Sequence, residues 1–342
     1  MPNTIGGEPA LQIKELPIGR GRRVACCKSF GSESCRAGAS PAIWNAKKLF
    51  LFFLLQTVTI HAFTQLEDLT WNEPQPKTLS RSGQEALQTH DVEWHHAESE
   101  HFIYHFTQRW MAERAAAEAE TYYEQIKKDL KITEDSWEVK GHIFLFETEP
   151  SWKSFTAKAG VDQWSGGVCI GNEIFLLSPP KANPFTGTTL PHEMAHLAVN
   201  RFVRGKIPIW LNEGFAEQQS RKHFVAYTKP KGFHFLLQSN VVASENYIPL
   251  EELTAANDYP SEESKVGSFY TESLRLVQFL VEDHPKQNFL EFLQAMADGM
   301  RFDHALDRVY GNIYLNFEAF EIKFKEVAIS KVKLVEDHKK GE

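Results

Sequence analysis

Three observations predict an α+β fold in which strands come first and helices after. Short apolar runs with strand-like alternation fall before residue 180, two helical patterns flank a break at Arg204-Gly205-Lys206, and from there on the periodicity is helical. The expected architecture is a strand-rich N-terminal lobe that ends in a pair of helices, followed by a helical C-terminal lobe. At 342 residues, with 42% hydrophobic and 12% aromatic content, the chain can bury a core of that size.

The first 62 residues read as an extension and a signal peptide. Lys47 and Lys48 precede an apolar run from Leu49 to Ile60, and Ala62 is a small residue suited to cleavage. That run is interrupted by Gln56, Thr57 and Thr59 and falls short of the roughly 20 residues a membrane span needs. Export to a periplasmic or secreted location follows; an uncleaved anchor formed by residues 49–60 and a buried core helix are the alternatives. Cys26, Cys27 and Cys35 match no zinc spacing, and cleavage after Ala62 would leave only Cys169 and hence no intrachain disulfide. Residues 1–62 hold eight Lys or Arg and three Asp or Glu, so the remainder carries −13 against −8 for the whole chain. So acidic a body repels phosphate backbones, and nucleic acid is not an expected partner.

Residues 63–98 are polar and contain Trp71-Asn72-Glu73-Pro74-Gln75-Pro76, which predicts a linker or arm. His90, His95 and His96 beside Asp91 are either a weak metal cluster or part of a solvated segment. A first domain then spans 99–225. In it His101–Phe106 predicts a strand, Gln108–Leu130 a helix, Val139–Phe146 a strand, and Ser151–Lys158 a short helix. Gly166–Ser178 predicts two strands turned at Gly171-Asn172. Pro191 suits a first helical turn that Thr188 or Thr189 can cap, so a helix should run from Leu190 to Phe202, and another from Ile209 to Lys222. The helical region 226–330 contains patterns at Ser268–Glu282, Asn288–Ala297, Phe302–Tyr310 and Leu315–Ser330, ahead of a charged tail at 331–342.

Chemistry concentrates in the two central helices. In Pro191-His192-Glu193-Met194-Ala195-His196 the histidines are four apart on a helix, so both imidazoles leave one face and can grip one ion. Glu193 cannot join them as a ligand from the same turn, but it can reach a water at the open position. Trp210-Leu211-Asn212-Glu213-Gly214-Phe215-Ala216-Glu217 begins the second helix, and a short antiparallel connection brings Glu213 opposite the histidines. Two His and one Glu with a fourth position open is the ligand set of a catalytic zinc. Glu217, one turn on, either accepts a hydrogen bond from the far nitrogen of a ligand histidine or belongs to an acidic solvated face.

With His192–His196, Trp210–Glu217 and Phe269-Tyr270-Thr271-Glu272-Ser273-Leu274, the chain resembles the gluzincin metallopeptidases, in particular the peptidase-MA-like group, over His101–Ser330. The resemblance implies a thermolysin/gluzincin-like fold, one Zn2+ held by His192, His196 and Glu213, Glu193 as general base, and a peptide or protein substrate. It also makes Tyr270 the candidate to stabilise an oxyanion, with His223 and His234 as weaker substitutes. The gap from His196 to Glu213 is two residues shorter than in the aminopeptidases of that group, and their Gly-x-Met-x-Asn loop is replaced by Gly166-Gly167-Val168-Cys169-Ile170. Recognition of a free N-terminus is therefore not implied, and the strands within Gly166–Ser178 are the expected edge for an extended peptide. Two rival readings are a catalytically inactive binding or structural protein of the cell envelope and a zinc hydrolase of cell-wall peptides or another amide.

Overall fold

The alternation in the first half of the chain folds into one six-stranded sheet. The computed structural model describes residues 66–70, 79–89, 92–133, 139–161, 165–178, 188–228, 246–282 and 284–339. Its strands are β1 (Glu67–Asp68), β2 (His95–Glu98), β3 (Phe102–Phe106), β4 (Gly141–Phe146), β5 (Gly167–Ile170) and β6 (Glu173–Leu177), in spatial order β1-β2-β3-β4-β6-β5. β3, β4 and β6 are parallel, and the remaining pairs are antiparallel. β5 and β6 form the expected hairpin, with Ile170 opposite Glu173 and Gly171 turning at φ 61°.

All six residues of β4 are buried because both faces of the sheet are covered. One face, with Tyr104, Ile143, Leu145, Ile174 and Leu176, packs against helices α2 (Arg109–Asp129) and α4 (Thr189–Phe202). The buried alanines 112, 115, 116 and 119 of α2 allow that helix to lie close on the sheet. The other face, with Phe144, Phe146 and Phe175, is covered by α1 (Arg81–Leu87) and by Trp152 and Phe155 of α3 (Glu149–Ala159). Thr148 caps α3, accepting from the Ser151 N–H at 3.3 Å.

After the sheet every described element is a helix: α5 (Ile209–Thr228), α6 (Leu250–Ala255), α7 (Glu263–Glu282), α8 (Lys286–Ala297), α9 (Phe302–Tyr310) and α10 (Phe317–Lys339). α5 lies between α4 and α7. It touches α7 through Gly214, where a Cβ would stand 2.3 Å from the Ser273 carbonyl oxygen. Trp210, Phe215, Phe289, Phe292, Phe302 and Tyr310 continue the apolar cluster that begins on the α2/α4 face of the sheet.

The expected helices and strands from residue 101 onward are present, with boundaries moved by a few residues. Three features differ from the sequence reading. The stretch 63–98, expected as a linker or arm, supplies β1, α1 and β2; its residues are polar because β2 gets its partner from the β3 ladder and buries only Ala97. The tail expected from 331 continues α10 as far as Lys339. α6 went unrecognised because six residues are too few to show a period.

His95 and His96 are strand residues. His96 Nδ1 lies 2.8 Å from His105 Nδ1, and His105 Nε2 lies 3.0 Å from His142 Nδ1, a row of imidazoles across β2, β3 and β4. His105 and His142 are buried, and burial holds the pKa of His96 and of His142 at about 4. Next along the row, Glu173 pairs with His142 across β4 and β6 and accepts from Ser80 Oγ at 2.6 Å.

The run 49–60, Cys26, Cys27, Cys35, His90, Asp91 and His234 lie outside the described residues, as does the side chain of His223. Among the described residues no helix is long and apolar enough to cross a membrane.

Candidate metal centre

α4 carries His192, Glu193 and His196, and α5 carries Glu213 and Glu217. The helix pair is pinned at its open end by Ser220 Oγ, which donates to the Thr188 carbonyl at 2.8 Å. Thr188, one of the two residues expected to cap α4, stands at the N-cap position, but its side chain makes no capping bond. Gly167 brings β5 against the same helix, so that a Cβ there would lie 3.2 Å from Glu193 Cγ.

The structure brings His192, His196 and Glu213 together. His192 Nε2 and His196 Nε2 are 3.1 Å apart, and Glu213 Oε2 is 3.4 Å from the first and 3.7 Å from the second. Three ligand atoms around a tetrahedral zinc, at bonds of about 2.0–2.1 Å, stand about 3.3 Å apart. The triangle fits that ion in size and in donor chemistry, and it is the one group of this kind found among the described residues. Glu213 Oε2 is buried with no hydrogen-bond donor of its own, so a cation would satisfy an otherwise orphaned acceptor.

Electrostatics agree with the geometry. Burial works to lower the pKa of His192, but the carboxylates of Glu213 and Glu217 outweigh it and push it up to about 10. Burial works to raise Glu213, and His192 and His196 outweigh it, holding that carboxyl well below the usual range. Positive charge is therefore favoured where the three atoms converge. Glu217 Oε1 lies 3.4 Å from His192 Nδ1, and Arg221 Nε lies 3.6 Å from Glu217 Oε2. Glu217 thus lies at ion-pair distance from a histidine while its side chain stays partly exposed.

Glu193 is buried, and burial moves its pKa up; the two histidines pull it back and Glu213 reinforces the rise. Glu193, the three triangle residues and Tyr270 line one cleft of about 1280 Å3, together with β5, Thr188, Thr189 and Glu217. Sequence reasoning missed Tyr259, in the connection between α6 and α7. Its phenol donates to Glu213 Oε1 at 2.7 Å and its ring stacks on Tyr270, with centroids 5.9 Å apart. No local signal marks it, since its role depends on where the connection between α6 and α7 lies.

The strand that borders the cleft is β5, the last of the sheet; β6 is internal between β4 and β5. Of the hairpin expected to offer an edge, only β5 can do so.

A comparison with curated proteins returns no match. The model of the peptidase MA superfamily matches residues 142–325, from β4 through the helix pair and into α10. That superfamily is typically zinc-dependent and suggests a metallopeptidase-like function. Six strands, the α4/α5 pair with its His, His, Glu triangle and that match lead to one assignment: the chain belongs to the peptidase MA superfamily, on a mixed α and β fold.

Proposed function

We propose that this protein is an exported, zinc-dependent metallopeptidase that hydrolyses peptide bonds in a peptide or protein substrate. The observation that carries the reading is the convergence of His192 Nε2, His196 Nε2 and Glu213 Oε2 beside the buried Glu193. Those three residues would hold the zinc, which when bound supplies Lewis acidity to activate a water and polarise a carbonyl.

The remaining steps belong to the chain itself. The Glu193 carboxylate takes the proton of the attacking water and returns it to the leaving amine nitrogen, a task helped by a pKa raised toward working pH. Glu217 accepts from His192 Nδ1–H and so fixes the tautomer that leaves Nε2 free as a donor atom to metal. Tyr270, from its place in the cleft, donates to the oxyanion that forms on the substrate carbonyl. An extended substrate segment pairs along β5, and the side chains beyond the scissile bond occupy the rest of the cleft. Export through residues 49–60, cleaved or kept as an anchor, belongs to the same reading.

The test is zinc content per chain on residues 63–342 for wild type, Glu213→Ala and Glu193→Gln, with peptidase assays on each. One zinc in wild type, weakened binding in Glu213→Ala, and zinc retained without turnover in Glu193→Gln are the expected results. Folded wild type that takes up no zinc when it is supplied would sink the proposal. Zinc uptake with no cleavage across a peptide library would favour the inactive binding protein instead.

A further inference from the structure

Glu213 is held from outside the helix pair. Its Oε2 faces the two imidazoles, while its Oε1 accepts the Tyr259 hydroxyl at 2.7 Å. The carboxylate therefore presents a single oxygen to the triangle. Tyr259 is itself oriented by packing. Its ring meets Phe269 edge-on at 5.9 Å and stacks on Tyr270 at the same distance, and Phe269 is buried in the core. Pro260 follows it, which restricts the Tyr259 backbone to extended conformations. Tyr259 as a whole is 43% exposed and lines the cleft, so a residue open to solvent on one side is bonded to a buried carboxylate on the other.

Resting on the metal reading above, we infer that Tyr259 is a positioning residue for the metal centre: it fixes Glu213 as a one-oxygen ligand and couples residues 256–262 to occupancy of the site. A partner that orients a ligand is worth about 10- to 100-fold in metal affinity. Coupling is reciprocal, so metal that binds more tightly with the connection in place must also hold the connection in place.

The experiment compares full-length wild type, Tyr259→Phe, Tyr247→Phe and Glu213→Ala by zinc competition against a chromogenic chelator. It adds hydrogen exchange over residues 256–262 with and without saturating zinc. Phe keeps the ring, so a purely structural role for Tyr259 leaves zinc affinity where it was. Tyr247, whose phenol contacts Glu321 at 3.4 Å, controls for loss of a phenol elsewhere. The expected result is a 10- to 100-fold weaker site in Tyr259→Phe and no more than a twofold change in Tyr247→Phe. The metal-free Tyr259→Phe protein should still melt cooperatively, at a lower temperature because a buried carboxylate oxygen loses its donor, and zinc should slow exchange at 256–262 in wild type but not in that variant. Wild-type zinc affinity in Tyr259→Phe, with Glu213→Ala weakened, overturns the inference alone. Unchanged binding in Glu213→Ala overturns the metal reading with it.

Discussion

A carboxylate beside two histidines can serve as ligand, base or orienting group, and at this site burial and position separate the roles. Glu213 faces both Nε2 atoms across the helix pair and is pulled toward the ionised form; Glu193 is buried on the same helix as the histidines and is pushed toward the neutral form. The first suits a permanent ligand and the second a group that must take up and release a proton. Glu193→Gln should lower kcat by about 10²- to 10⁴-fold with zinc content intact, as read by steady-state kinetics and elemental analysis. On the proposed reading Glu217 acts through His192, so Glu217→Ala should weaken zinc by about 10- to 100-fold, measured by chelator competition. A wild-type zinc affinity in that variant would return Glu217 to the surface.

Helices α4, α5 and α7 set the distances on which those roles depend. Gly214 stands next to Glu213 and lets α5 close on α7; an added Cβ would fall 2.3 Å from the Ser273 carbonyl and 2.7 Å from Val277 Cγ2. A backbone oxygen cannot swing aside as a side chain can, so the helices must part. Gly214→Ala should cost about 1–3 kcal/mol of stability in urea unfolding of the metal-free protein. Because parting the helices shifts Glu213 as well, zinc should also bind more weakly. Unchanged stability would show that α5 and α7 can separate freely at this point.

Across the whole molecule the two faces of the sheet have different work. The α2/α4 face supports the candidate metal centre, and the opposite face carries the row His96, His105, His142 with Glu173, in which His105, His142 and Glu173 are buried. His142 has a folded pKa of about 4, against about 6.5 in an unfolded chain. Between those values the unfolded state binds the extra proton, so the stability that His142 contributes is whole above pH 6.5 and lost as pH falls toward 4. Glu272, pushed up to about 8 by burial, acts in the opposite sense over the same window, so the measurement must be a comparison. Between pH 6.5 and 5, His142→Phe should gain on wild type by up to about 1.4 kcal/mol per pH unit in metal-free unfolding. Parallel pH profiles for the two proteins would show that the row does not titrate on unfolding.

The helix pair, the four residues His192, Glu193, His196 and Glu213, and most elements after residue 100 are legible in one dimension. Periodicity and i, i+4 spacing are local properties, and local properties survive in one dimension. Tertiary structure alone decided what depends on contacts between distant segments. β2 is a strand because β3 is there to pair with it, although its composition is that of a polar loop. The histidines at 96, 105 and 142 form a row because three strands lie side by side. Tyr259 reaches Glu213 across 46 positions of chain because α6 and α7 place their connection over the cleft. β5, rather than β6, borders the cleft because the parallel pairing of β4 with β6 leaves β5 outermost. The two histidines of a ligand set can be written in one turn of helix, but the groups that hold the set still are assembled by packing between distant segments, which the order of residues does not display.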